Sequence, residues 1–257
     1  MEKLDPAPFF TRPFLDLLRG EARALGRPVD LLWVIAGLAL GWWLYVPVHE
    51  LLHAAGCLLA GGEVHRLEID PLYGGALLAR VFPFVAAGGQ YAGRLSGFDT
   101  GGSDWVYLAT DLAPFVLTLF PGVWLLRLAG RRRAAFLFAA AAPFALAPFL
   151  SLGGDAYEIG ALVVTEMAPW RGAEHRALVA DDLPRLALAV GRGGAPLPDG
   201  GATWAGLALG AVFGAIWAFA VYALGSLVAT AFGQRPLRAA ASGSYRAPAG
   251  AAGRAAR

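Results

Sequence analysis

The run His49-Glu50-Leu51-Leu52-His53 places two imidazoles four positions apart, with a carboxylate beside the first. On a helix, positions i and i+4 share a face, so both rings can reach one ion. Glu50 then stands where it can take a proton from a metal-bound water. Zinc lowers the pKa of such a water towards ~7. With four histidines and eight glutamates in 257 residues, the pattern arises by chance about twice in a thousand such sequences. Catalytic zinc usually takes three protein ligands and keeps one position open. The third is expected at Asp155, in Ser151-Leu152-Gly153-Gly154-Asp155-Ala156-Tyr157-Glu158. It follows an uncharged apolar run, and the paired glycines would let the helix unwind to present it. Asp155 also suits the cap of a second helical piece over residues 156–168, a role second to the ligand reading and compatible with it. Glu158, three residues on, is the alternative ligand or a hydrogen-bond partner for a ligand histidine. Asp111 is an acid inside an apolar stretch, a functional pointer by default. It lies only six residues from the start of that stretch, which reads as an interfacial position. His65 reads as a solvated loop residue and His175 as part of the polar face of a surface helix. Pro47 frees a backbone carbonyl one turn earlier.

These residues need elements to carry them, and the composition says which. Apolar residues make up 57% of the chain and charged residues 16%, against about a quarter charged in an ordinary soluble domain. The mean hydropathy is +0.55. A bilayer core of ~30 Å needs ~20 helical residues, and four stretches are long enough: about 31–60, 105–127, 134–154 and 203–232. Leu31 to Val48 carries no charge, so the two histidines and Glu50 close an uncharged run. Ionisable groups at such a place cost a few kcal/mol each on insertion scales. The fold class expected is an all-α polytopic membrane protein of about four transmembrane helices, with a short β-hairpin-like loop between the first two. The strands of that loop are expected at Val64–Asp70 and Ala76–Val85, around Pro71 and Gly74-Gly75. Gly206, Gly210 and Gly214 have the small-residue spacing that lets helices approach closely in lipid.

The domain organisation follows. Residues 1–30 read as an amphipathic N-terminal segment, 31–232 as the membrane-embedded body, and 233–257 as a disordered basic tail. Residues 173–191 read as a surface helix. The first long apolar run starts only at Leu31, so no signal peptide is expected. Cys57 is the single cysteine, which excludes an intramolecular disulfide. A net charge of +2 gives no reason to expect a nucleic-acid partner. With four spans, the tails and the Arg127–Arg133 loop share a side carrying 14 basic residues against 7 on the other. That bias puts both termini in the cytoplasm. The preponderance of arginine over lysine, with abundant Ala and Gly, fits a bacterial inner-membrane protein. Nothing in the sequence sets an oligomeric state.

The text HELLHAAGCLLAGGEVHRLEIDPLYGG, residues 49–75, resembles the site-2 protease family of intramembrane zinc metalloproteases. Ala109 to Leu126 is similar, more loosely, to the family's second core span, and Asp155 stands where its ligand aspartate does. The resemblance implies a three-helix core and one zinc per chain held by His49, His53 and Asp155. It also implies Glu50 as general base, and a strand loop dipping into the membrane near residues 76–92. The implied reaction is peptide-bond hydrolysis in a membrane-protein substrate. The family's aspartate usually sits in Leu-Asp-Gly; here it sits in Gly-Gly-Asp-Ala-Tyr. The family also keeps its site nearer the cytosol, whereas the charge bias puts the C-terminal end of the first segment on the other side. A non-catalytic membrane protein, with Glu158 or His65 closing a four-ligand structural site or a pseudoprotease surface binding transmembrane helices, is the alternative. A zinc hydrolase acting on something other than peptide would share the same residues.

Overall fold

The computed structural model describes residues 9–167, 182–191 and 200–238. His175, residues 173–181 of the expected surface helix and the tail beyond residue 238 lie outside the described residues. The protein is mostly helical, with one small sheet.

Helix α1 (Arg12–Ala24) buries Pro13, Asp16, Gly20 and Ala24 along one face, and leaves Phe10, Phe14 and Leu18 exposed. Helix α2 (Asp30–Leu59) follows. Its buried stripe, Gly37, Gly41, Tyr45, His49, His53 and Cys57, recurs every four residues. The two glycines at its start lie against the backbone of Phe136 and Ala140. The spacing that packs the helix thus also turns both histidines inward. The opposite face shows Leu31, Leu32, Ile35 and Leu38, a surface suited to lipid rather than water.

Strand β1 (Glu63–Ile69) sits where the sequence places it. The second expected strand, Ala76–Val85, is a correction: the chain there turns through the short helix α3 (Gly75–Leu78), and the strand proper is β2 (Val85–Ala87). Strand β3 is Gly93–Asp99. The order is β2-β1-β3, with β1 parallel to β2 and antiparallel to β3. A parallel neighbour cannot be joined by a tight turn, so the loop is a three-stranded sheet with a helical crossover rather than a hairpin. Leu67 and Ile69 of β1 are fully buried in a cluster with Ala54 of α2 and Val85.

Helix α4 (Asp104–Leu112) starts on Ser103, whose hydroxyl accepts from the Val106 amide. It runs on through a tighter turn at Ala113–Phe115 and a break at Thr118–Gly122, where Phe120 is extended, into α5 (Val123–Arg132). The single expected span over 134–154 is a second correction. It is divided into α6 (Ala135–Ala145), α7 (Ala147–Leu150) and a turn before α8 (Asp155–Met167). Pro143 and Pro148 lack the N–H that a continuous ladder needs, and Gly153-Gly154 follow. Helix α9 is Leu183–Gly191, and α10 is Gly200–Ala231.

Among the described residues, three helical stretches are long and apolar enough to cross a membrane: Asp30–Leu59, Asp104–Arg132 and Trp204–Ala231. Helices α8 and α10 meet closely at Gly160, Gly210 and Gly214: a Cβ at Gly160 or Gly214 would collide with the facing main chain, and one at Gly210 with the Tyr157 ring. Two of the three glycines singled out by spacing therefore do pack a helix pair. That close crossing fixes α8, and with it Asp155 at its first turn.

The far end is tied by one buried ion pair. Arg127 Nη2 and Asp16 Oδ2 stand 2.7 Å apart, both side chains essentially without solvent exposure. Tyr222 donates to the same carboxylate at 3.1 Å, and the Leu237 amide donates to its other oxygen at 3.2 Å. Arg127 also donates to the Ser226 and Gln234 carbonyls, each at 3.1 Å. A buried pair is tolerable only when its remaining donors and acceptors are filled this way.

Candidate metal centre

Two helices far apart in sequence deliver three ligating groups to one point. His49 and His53 come from successive turns of α2, and Asp155 comes from the first turn of α8. Their Nε2 atoms are 3.1 Å apart. His49 Nε2 lies 3.1 Å from Asp155 Oδ2, and His53 Nε2 lies 3.4 Å from Asp155 Oδ1. Two donors bound at ~2.0–2.1 Å to a tetrahedral zinc stand about 3.3 Å apart. The spacing is therefore that of one coordination sphere without rearrangement. Both histidines are only 7% exposed. Asp155 Oδ2 is buried and faces His49 Nε2, so the lone pairs of both converge on one point. Asp155 is the first residue of α8 itself rather than the cap before it, and both of its carboxylate oxygens face the histidines.

The tautomer of His53 is set by its surroundings. Its Nδ1–H donates to the Thr110 carbonyl at 2.9 Å, leaving the Nε2 lone pair facing the cluster. That carbonyl is available for a reason visible in the sequence: four residues on is Pro114, which has no N–H to fill it. The Thr110 hydroxyl turns back to its own helix, donating to the Val106 carbonyl at 2.8 Å.

Glu50 lines a cavity of about 240 Å³ together with His53, Asp155, Glu158, Asp111 and Tyr107. Strand β3 forms one wall through Gly93, Arg94 and Leu95. Leu95 stands beside Glu50 on that wall. Gly93 lies so close to Glu50 that a Cβ there would come within 3.0 Å of its Cδ and 3.3 Å of its Oε1. Only glycine leaves the carboxylate where it is.

Glu158 lies outside the His49–His53–Asp155 group. It accepts from Tyr107 Oη at 3.0 Å and lines the cavity together with Asp111. Asp111 is a correction to the interfacial position expected for it: it is 4% exposed, buried behind the cavity beside Glu158. His65 is on β1 rather than in a loop, its side chain exposed and 3.7 Å from Glu63. Tyr107, Thr110 and Gly93 were not singled out by residue type. The one sequence signal among them is Pro114, whose spacing to Thr110 releases a carbonyl. No family model, curated protein or solved structure gives a match to this chain.

Proposed function

We propose that the protein is a multi-pass intramembrane zinc metalloprotease of the site-2 type, in a bacterial inner membrane. The observation that carries this reading is the convergence of His49, His53 and Asp155 at 3.1–3.4 Å, with Glu50 on the adjoining cavity wall. Two histidines and one carboxylate are a ligand set that leaves a fourth position open. A zinc ion there would polarise a substrate carbonyl and acidify a water.

The remaining work falls to side chains of this protein. Glu50 accepts the proton of the water that adds to the scissile carbonyl, and delivers it to the amine as the C–N bond breaks. The absence of a side chain at residue 93 leaves its carboxylate room at the cavity wall for both transfers. The Thr110 carbonyl keeps His53 in its ligating tautomer. The buried setting of the histidines limits bulk water around the cluster. A peptide is favoured over other substrates because β3 is an edge strand of the sheet and lines the cavity. An extended chain can pair with such an edge while its carbonyl is offered to the cluster.

Replacing Glu50 by Gln tests this. The variant is expected to hold metal as the wild type does and to lose cleavage of a transmembrane substrate by 10²-fold or more. Cleavage at the wild-type rate would refute the role of Glu50. A metal centre that spectroscopy of a cobalt-substituted sample shows to be closed by four protein ligands would support the non-catalytic alternative.

A further inference from the structure

At the end of the molecule remote from the metal cluster, five arginines from three separate segments line one cavity of about 570 Å³. Arg23 comes from α1, Arg131 and Arg132 from the last turn of α5, and Arg235 and Arg238 from the segment after α10. No acidic side chain among the described residues lines it. The nearest buried acid, Asp16, is already engaged by Arg127, Tyr222 and the Leu237 amide. The arginines are held rather than merely adjacent. Arg23 donates to the Arg238 carbonyl at 2.7 Å, and Arg131 donates to the Gln234 side chain and the Arg235 carbonyl. The backbone carbonyls that accept from Arg23 and Arg131 bring no neutralising charge. Like charges gathered this closely repel one another, and an anion with several acceptor oxygens relieves that repulsion through charge-assisted hydrogen bonds.

The position of the cavity identifies which anion. Two of the three apolar stretches end at it, at Arg132 and at Ala231. Leu128 lines it, and the exposed Phe232 adjoins Gly233 of its wall. A cationic pocket at the polar boundary of apolar helices, with greasy side chains beside it, matches an anionic lipid: headgroup phosphate in the pocket, acyl chains along the helices. We propose that this pocket binds the phosphate-bearing headgroup of an anionic phospholipid, and that it ties α1 and the segment after α10 to the membrane surface.

The test uses the full-length protein in neutral detergent, with native mass spectrometry counting bound lipid. Phosphatidylglycerol and phosphatidylcholine are titrated in parallel, with and without sodium phosphate. The double variant Arg132→Gln/Arg238→Gln is compared with Arg133→Gln, which removes a neighbouring charge that does not line the pocket. The expected result is retention of phosphatidylglycerol over phosphatidylcholine, weakened roughly thirty-fold in the double variant and little changed in Arg133→Gln. Millimolar phosphate is expected to leave lipid retention intact. Equal retention of the two lipids, or equal weakening by Arg133→Gln, would overturn the proposal. Displacement of the lipid by micromolar inorganic phosphate would assign the pocket to a free anion instead.

Discussion

Replacing Pro114 by Ala separates the role of a backbone carbonyl from the stability of the helix that carries it. Pro114 touches no ligand. Its part in the account is to leave the Thr110 carbonyl without its helical partner, so that the carbonyl accepts from His53 Nδ1 at 2.9 Å. Alanine restores an N–H four residues on, and that N–H competes for the same oxygen. The carbonyl has two lone pairs and can be shared, so the imidazole bond is weakened rather than removed. Loss of a partner that orients a ligand histidine typically costs 10–100-fold in metal affinity. Sharing puts Pro114→Ala near the lower end, about tenfold, or ~1.4 kcal/mol. The fold should not pay for the change, since Ala is favoured over Pro in a helix interior by up to ~3 kcal/mol. Zinc affinity measured by chelator competition in detergent should therefore fall while thermal stability holds or rises. Zinc affinity within twofold of wild type, in a folded sample, would refute the link from Pro114 through Thr110 to His53. A fall in affinity that merely tracks a fall in thermal stability would refute it as well.

Two other substitutions probe the surroundings. Gly93→Val should displace the Glu50 carboxylate, leaving the zinc content at the wild-type level while the proposed proteolysis falls at least tenfold. Zinc content and a cleavage assay on one preparation check both halves, and full activity would remove Gly93 from the account. Arg127→Leu strands a buried carboxylate on Asp16 and should cost about 3–5 kcal/mol. Combining it with Asp16→Leu should recover part of that loss, as read by thermal unfolding in detergent.

The chemistry at α2 was legible because it is local. His49 and His53 are one turn apart, and that geometry belongs to any helix. The long apolar stretches were legible for a similar reason, since length and composition decide them. Asp155 could be reached only by asking which acid follows an uncharged run, and the structure brings its carboxylate to the histidines. Gly210 and Gly214 were visible as a spacing, whereas Gly160, which meets them, was not, because its partner lies on another helix. The same limit hid the pairing of Asp16 with Arg127, 111 residues apart. Asp111 was misplaced because distance from a segment's start says nothing of which neighbour covers it. The break over 134–154 was overlooked because absence of charge was weighted above Pro143 and Pro148. The parallel partner of β1 was missed because a turn signal at Gly74-Gly75 does not tell a hairpin from a short crossover.

The charge bias had a structural counterpart that did not depend on orientation. Arginines from the N-terminal segment, the Arg127–Arg133 loop and the segment after α10 were expected on one side, and they meet in one pocket. The metal cluster and that pocket occupy different ends of the molecule, so lipid binding at one and chemistry at the other can be tested apart.

The central claim is that His49, His53 and Asp155 hold one zinc ion. Metal analysis of the purified protein beside His53→Ala, Asp155→Ala and Glu50→Gln, all verified as folded, tests it directly. The account predicts about one zinc per chain in wild type and Glu50→Gln, and loss of it in the other two. Folded wild type that takes up no zinc after resupply, or full zinc retention in His53→Ala, would contradict it.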